Sequence, residues 1–186
     1  MNHSVILKNE ERTLRPVGVD DAAFIVKLRK QAHVKNCIND TSMDIERQRQ
    51  WIRDYLLRDN EYYWIIETPD GEPFGTISLY HYVAEKNQIE SGRWVELKGE
   101  NYTYNLFKSA IQLNDFAFND LKVSCVVFDV VATNKRVIRY HLSYGAEVTG
   151  VEKNAVVLGN VPHDVIWMRI TREKWPEIRA FLERMS

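Results

Sequence analysis

The sequence predicts a mixed α/β (α+β) domain with a mostly antiparallel sheet flanked by helices. Short β-prone runs and segments with helical spacing follow one another in the order β, α, α, β, β, β, α, β, α, β, β, α. Middle strands joined by short turns favour antiparallel pairing, whereas the helix between strands 88–95 and 121–131 favours a parallel crossover. We therefore expect about seven strands in one sheet and a single domain over residues 1–186.

Composition and charge exclude several classes of protein. The chain has 186 residues, of which 45% are hydrophobic and 27% are charged, as in an ordinary globular domain. Its net charge is −1, so no basic surface for nucleic acid is predicted. No apolar run approaches the ~20 residues of a membrane span, and we expect a cytoplasmic protein without membrane contact. Cys37 and Cys125 lack the spacing of a metal site, and Cys125 is predicted to be buried in its strand.

The first half of the chain is predicted to contain a first strand or short hairpin, two helices and three further strands. Asp20 and Asp21 provide acidic residues for the start of the first helix. Thr41 and Asp44 resemble a capping box at the start of the second helix. The Pro-Asp-Gly sequence at 69–71 predicts a hairpin turn. The first strand or short hairpin is expected over about 5–7 and 12–15, further strands at about 62–67, 74–83 and 88–95, helices at about 20–31 and 41–58, and a loop or a broken helix at 32–41.

The second half is organised around the stretch 121–150. A β-prone run ends just before Asn134, which suits a helix N-cap. A short helix follows, and Gly145 suits a left-handed C-cap before the next strand begins. The other expected elements are a loop at 98–104, a helix at about 105–119, strands near 146–151, 155–158 and 165–170, and a final helix at about 175–185.

This strand–Asn–helix–Gly stretch carries a motif. Asn134, Arg136, Ile138 and Gly145 match the pattern N-x-[RK]-[AS]-I-x-x-Y-x-x-x-GF-x-x-x-G. On these residues the chain resembles the GNAT N-acetyltransferase superfamily, over roughly residues 13–170.

A second run of residues is similar to a strand found in two branches of that superfamily. The run IESGRW at 89–94 resembles the AEIGYW fourth strand of the ribosomal-protein and amino-sugar branches. Within the superfamily the chain looks most similar to the amino-sugar N-acetyltransferase of the pseudaminic acid pathway, which acetylates the 4-amino group of a UDP-linked dideoxy sugar. The positions that support this likeness are Leu28, Arg29, Trp51, Ala117, Phe118, Leu121, Gly150, Lys153, Asp164 and Val165.

The resemblance implies the GNAT acyl-CoA N-acyltransferase fold, splayed between its fourth and fifth strands, with acetyl-CoA as co-substrate. The chain departs from the pattern in three places. The acyl-CoA loop, [QR]-x-x-G-x-[GA], falls on ENYTYN at 100–105, which has neither glycine. The helix tyrosine that often serves as general acid falls on His141, and the usual GF is Gly145-Ala146.

The resemblance also implies where the cofactor binds. Backbone N–H groups at a helix N-terminus bind anionic phosphates, and the loop before the helix at 105–119 is placed for the pyrophosphate of CoA. The fourth strand would offer its free backbone groups to the acetyl carbonyl and the pantetheine. Asn134 would approach the cofactor, or cap its helix, or do both. The candidate cofactor-binding residues are Trp94, Val95, Gly99, Tyr102, Thr103, Tyr104, Asn105 and Asn134.

Two residues are candidates for proton transfer. Glu90 would be the general base or hold a water that deprotonates the amine, and the alternative is an exposed strand glutamate. His141 would be the general acid for the leaving thiolate, because a histidine with a pKa near ~6.5 exchanges protons at neutral pH more readily than a tyrosine near ~10. A surface histidine is the alternative, with Tyr140 and Tyr144 as substitute acids.

The substrate is predicted to be a small-molecule amine. Arg29, His33 and Asn36 would contact a nucleotide diphosphate, and His81 is either a further contact or a cross-strand partner. We expect direct attack in a ternary complex on a nucleotide-linked amino sugar. The alternatives are acetylation of a protein N-terminus or ribosomal protein, and a non-catalytic GNAT-like binding protein. The oligomeric state is left open, with a homodimer as one option.

Overall fold

A computed structural model describes residues 3–31, 44–99 and 102–186 of the chain. The strands are β1 (Leu7–Lys8), β2 (Thr13–Pro16), β3 (Tyr62–Glu67), β4 (Pro73–Val83), β5 (Gln88–Glu96), β6 (Cys125–Val131), β7 (Glu147–Leu158) and β8 (Val161–Thr171). The helices are α1 (Ala22–Arg29), α2 (Ile45–Tyr55), α3 (Tyr102–Asp115), α4 (Lys135–Ser143) and α5 (Trp175–Met185). A π-helical turn (Phe116–Asp120) follows α3 directly.

The strands hydrogen-bond in the order β1-β2-β3-β4-β5-β6-β8-β7. The pairs β1–β2, β2–β3, β3–β4, β6–β8 and β7–β8 are antiparallel. Strands β5 and β6 are parallel, with residues 88–90 paired to residues 125–127. The mixed, mostly antiparallel sheet and the parallel crossover through α3 are therefore confirmed. The divergence of β5 and β6 beyond Glu90 stays a prediction.

The start of α2 differs from the sequence prediction. Asp44 is the N-cap, and its carboxylate accepts hydrogen bonds from the backbone N–H groups of Glu46 (2.7 Å) and Arg47 (3.2 Å). The capping box had placed the cap at Thr41, which lies outside the described residues. An aspartate that reaches the N–H groups of the second and third helical residues caps a helix by itself.

Other features also differ from the sequence prediction. Helix α3 begins at Tyr102, three residues before its predicted start. Strand β7 is continuous over twelve residues, where the sequence predicted two strands, and its register with β8 shifts twice. Cys125 is half-buried rather than buried, because it is the first residue of β6.

Contacts between residues divide the described chain into two units. The first unit contains the described residues up to His81 together with residues 91–98, and the second contains residues 82–90 and 99–186. Each unit has its own buried residues. A single domain over 1–186 stays a prediction.

In the first unit, α1 and α2 pack together against β3. Residues 63–66 of β3 are all buried, as expected of a strand that is covered on both faces. Trp51 is partly buried and stacks on Tyr55 with ring centroids 5.7 Å apart. The buried cluster consists of Val17, Ala22, Ile25, Ile52, Tyr55, Tyr63 and Ile65.

In the second unit, β6, β8 and β7 form the sheet, and α3 packs against α5. The Trp175 indole donates a hydrogen bond to Asp115 (2.9 Å), and its ring lies 5.7 Å from that of Phe118. Gly145 ends α4 with a φ of +105°, which confirms the predicted left-handed C-cap. Helix α4 is thereby fixed between β6 and β7, where the sequence motif lies.

Candidate functional site

A pair of carboxylates lies on one face of the second unit's sheet. Glu90 of β5 is paired in register with Val127 of β6. Asp129 follows Val127 by two residues, so its side chain lies on the same face as Glu90. Desolvation by the surrounding protein raises the pKa of Asp129, although part of the residue stays exposed, and the charge of Glu90 raises it further. Glu90 is thus a half-buried carboxylate with an acidic neighbour.

Sequence reasoning missed Asp129. The signal was present, because Asp129 is the only charged residue in the apolar run from Val123 to Val131. The same face continues onto β8, where Trp167 is paired with Asp129 and its indole donates a hydrogen bond to Glu152 (3.1 Å). The carboxyl of Glu152 also raises the pKa of Asp129.

His141 lies on the other side of β6. Its ring packs against Phe128, with centroids 4.2 Å apart, and side chains alternate between the faces of a strand, so Phe128 points away from Asp129. The residue is 7% exposed, and burial lowers its pKa to about 3. The ring is therefore neutral at neutral pH, and the near-neutral titration expected of it is not found. Its role as general acid stays a prediction.

The hydroxyl groups near His141 belong to the two substitute acids. The Nδ1 atom of His141 is hydrogen-bonded to the hydroxyl of Tyr144, whose pKa is raised by burial. Tyr140 stacks on Phe107 at 5.5 Å and meets the rings of His141 and Tyr144 edge-on at 5.1 Å and 5.2 Å. These rings form a packed aromatic group between α3, α4 and β6. The structure brings His141 together with both tyrosines and separates it from Glu90 by the thickness of the sheet.

The predicted CoA-binding segment lies at the start of α3. Thr103 and Tyr104 are exposed in the first turn of the helix, and Tyr102 and Asn105 are half-buried. The carbonyl of Gly99 accepts a hydrogen bond from the N–H of Tyr102 (3.3 Å). Residues 100 and 101 of the predicted loop lie outside the described residues.

Arg136 places a positive charge beside the start of α3. Sequence reasoning did not assign this residue to the site. The guanidinium of Arg136 lies 5.0 Å from the centroid of the Tyr102 ring. Asn134 caps α4, because its side-chain oxygen accepts a hydrogen bond from the N–H of Val137 (3.3 Å). The cap role is therefore observed, and the approach of Asn134 to the cofactor stays a prediction. The place of Arg136 in the motif is the sequence signal that pointed to this residue.

In the first unit, the strand β5 is irregular near Trp94 and Val95. Arg93 has a φ of +49°, which interrupts the regular alternation of side chains between the two faces of the strand. Trp94 and Val95 are half-buried, and the Trp94 indole donates a hydrogen bond to the buried carboxylate of Glu96 (2.9 Å).

The candidate substrate residues are only partly described. Burial lowers the pKa of Arg29, and the charge of Arg93 lowers it further. His81 is exposed, with its ring edge-on to Tyr80 at 4.7 Å. His33 and Asn36 lie outside the described residues, so the predicted substrate contacts stay predictions.

Comparison with known proteins identifies the class. The sequence matches the acetyltransferase (GNAT) domain family over residues 12–147, and the chain belongs to this family. It is therefore an acetyl-CoA-dependent N-acetyltransferase, as predicted. No curated protein matches the sequence.

Solved structures agree with the family. FdhC, described as a nucleotide-linked sugar GNAT, has 28% sequence identity and a TM-score of 0.79, with 98% of each chain covered. A GCN5-related N-acetyltransferase from Brucella melitensis has 12% identity and a TM-score of 0.83, covering 98% of this chain and 85% of that one. A variant of the spermidine N-acetyltransferase SpeG from Vibrio cholerae has 16% identity and a TM-score of 0.75, covering 90% and 98%. The last two confirm the predicted GNAT fold alone.

The helices were also compared with the requirements of a membrane span. Within residues 3–31, 44–99 and 102–186, no helix combines the necessary length and apolar character.

Proposed function

We propose that the chain transfers the acetyl group of acetyl-CoA to the amino group of a nucleotide-linked amino sugar, by direct attack in a ternary complex. The observation that carries this proposal is the likeness to FdhC, which extends over 98% of both chains. The IESGRW run at 89–94 is compatible with this branch and is shared with the ribosomal-protein branch. A cytoplasmic location and a homodimer stay predictions.

The amine must lose a proton to become a nucleophile. We assign this step to Glu90, acting directly or through a water. The partial exposure of Glu90 and Asp129 supports the assignment, because an incoming ammonium group can reach carboxylates on this face. Two acidic side chains there also favour a cationic over a neutral acceptor group.

The co-substrate needs donors for its phosphates and for its acetyl carbonyl. We assign the pyrophosphate to the backbone N–H groups at the start of α3, supported by the guanidinium of Arg136 beside Tyr102. The side chains of Thr103, Tyr104 and Asn105 would add polar contacts. Gly99 would let CoA approach the backbone closely, because it has no side chain and the space beside it is open. The backbone groups of Trp94 and Val95 would bind the acetyl carbonyl and the pantetheine.

The leaving thiolate needs a proton. We assign it to the group formed by His141, Tyr140 and Tyr144, from which a tyrosine hydroxyl or the neutral imidazole N–H would donate. For the sugar nucleotide, the guanidinium of Arg29 remains a proposed contact, because a planar guanidinium matches the geometry of a phosphate. His33, Asn36 and His81 remain proposed contacts.

A thiol-release assay with acetyl-CoA tests the acceptor. We expect turnover with UDP- or dTDP-linked amino sugars, and little with peptides or polyamines. Turnover with peptides alone would show that the amino-sugar hypothesis is wrong and would favour acetylation of protein N-termini. Tight binding of acetyl-CoA without turnover on any amine would favour a non-catalytic binding protein.

A further inference from the structure

We propose that Arg93 is a positioning residue for the acetyl carbonyl. Its side chain holds the left-handed backbone of β5 in place and so directs the backbone groups of Trp94 and Val95. The inference rests on the proposed function, in which those backbone groups bind the carbonyl of acetyl-CoA.

The backbone at Arg93 is unusual for a residue with a side chain. Its φ of +49° lies in the left-handed region, inside a strand whose other residues are extended. This region is unfavourable for L-residues other than glycine, and such conformations persist only where the surroundings hold them. An irregularity of this kind re-aims the next residues of the strand. In β5 those residues are Trp94 and Val95.

Two buried hydroxyl groups of β4 hold the carbonyl groups at this point. Ser78 donates to the carbonyl of Gly92 (2.9 Å), and Thr76 donates to the carbonyl of Arg93 (2.8 Å). Both side chains are almost completely buried, at 0% and 2% exposure. Buried hydroxyl groups are almost always hydrogen-bonded, and here both bonds are made to the irregular backbone.

The guanidinium of Arg93 is held on several sides. It forms an ion pair with Glu61 at 3.1 Å, and both side chains are largely buried. Its central carbon lies 4.2 Å from the ring centroid of Tyr80, 5.1 Å from that of Trp51 and 5.6 Å from that of Tyr63. A planar guanidinium combines ion pairing with stacking on aromatic faces.

Tyr80 also contacts the backbone of β5 at Gly92. A Cβ added at Gly92 would overlap the hydroxyl and ring of Tyr80, so this ring contacts both the strand and the guanidinium. Relaxation of the backbone to an extended conformation would pull the guanidinium away from Tyr80 and Glu61. The anchored side chain therefore keeps the backbone in its left-handed state.

Calorimetric binding of two co-substrate analogues tests the inference. The ratio of the dissociation constants for S-ethyl-CoA and acetyl-CoA measures the contribution of the acetyl carbonyl, because the two molecules differ only in this thioester carbonyl. We expect the wild-type protein to prefer acetyl-CoA about tenfold, as one good hydrogen bond would give. Arg93→Ala should reduce the ratio to about one, and any loss of pantetheine contacts affects both molecules and cancels in the ratio. Arg93→Gly should keep most of the preference, because glycine adopts the left-handed backbone without its neighbours' help.

A second pair of variants keeps the test valid if Arg93→Ala fails to fold. Thr76→Val removes the hydroxyl that donates to the Arg93 carbonyl and should lower the ratio, whereas Thr76→Ser keeps the hydroxyl and should retain it. Asn160→Ala is the matched control, because Asn160 is also left-handed (φ +65°) but lies in the turn between β7 and β8. Its ratio should equal that of the wild type.

The outcomes separate the inference from the function on which it rests. A wild-type ratio near one would contradict the carbonyl contact of the proposed function, and the inference with it. A clear wild-type preference that survives in Arg93→Ala and Thr76→Val would overturn the inference alone. Equal loss in Arg93→Ala and Arg93→Gly would overturn the role of the backbone conformation.

Discussion

Ionisable side chains lie in different environments on the two faces of the sheet at β6. On one face, Glu90 and Asp129 lie side by side, and each keeps some contact with solvent. On the other face, His141 and Tyr144 are buried, and burial shifts the pKa of each toward its neutral form. In the proposed reaction the first face would accept a proton from the incoming amine, whereas burial keeps the groups on the second face uncharged. A histidine in a motif position therefore does not imply a group that titrates at neutral pH.

The largest effect is expected at Glu90. Glu90→Gln removes the proposed base and should lower kcat/KM by about 100-fold, the size of a lost general base. Glu85→Gln, in the exposed bend between β4 and β5, is a matched control and should keep full activity. Comparable activity in Glu90→Gln and the control would place the chemistry elsewhere.

His141 is expected to matter for stability. His141→Ala removes a buried ring from the Phe128 and Tyr144 contacts and should cost about 2–4 kcal/mol at neutral pH, as other large buried side chains do. Urea unfolding measures this loss. His163→Ala, on β8, is the control and should change stability far less.

The pH dependence of the same measurement has a definite sign. The pKa of His141 is about 3 in the folded protein and near ~6.5 when unfolded. The unfolded chain binds the proton more readily, so the stability from this group is present above about pH 6.5 and is lost as the pH falls towards 3. The His141→Ala variant should not lose this part of its stability as the pH falls. An identical pH dependence in wild type and variant would contradict the burial of a neutral ring.

A smaller effect is expected at Asp129. Its pKa is raised in the folded protein, so the associated stability is present below the pKa of the unfolded chain and is lost as the pH rises through the folded value. Ionised Asp129 therefore destabilises the protein at neutral pH, and Asp129→Asn should raise Tm by a few degrees there. At a pH well below 4 the two proteins should melt alike. A lower Tm for the variant at neutral pH would mean that the carboxylate is stabilising.

The sequence was sufficient for the order of the elements and for the motif. Asn134 and Gly145 were identified as helix caps because their roles depend on local backbone chemistry alone. The start of α3 and the unbroken length of β7 were not, because the polar residues of both segments are also typical of loops. The sequence does not distinguish an exposed edge strand from a turn.

The site residues divide in the same way. The burial of His141 could have been inferred, since it lies three residues after Ile138 on the buried face of α4. The placement of Asp129 on the same face as Glu90 depends on the register of two strands separated by a helix, which local patterns do not determine. The left-handed backbone of Arg93 has no local signal, because it depends on Ser78, Thr76 and Glu61.

The pH dependence of kcat/KM in wild type and His141→Phe tests the comparison of the two faces most directly. A phenylalanine keeps an aromatic ring beside Phe128 but cannot titrate. We predict that the two profiles have the same shape between about pH 5 and pH 8, because His141 is already neutral over that range. A change of slope near pH 6.5 in the wild type that disappears in His141→Phe would contradict the account, because it would mean that His141 titrates near neutral pH.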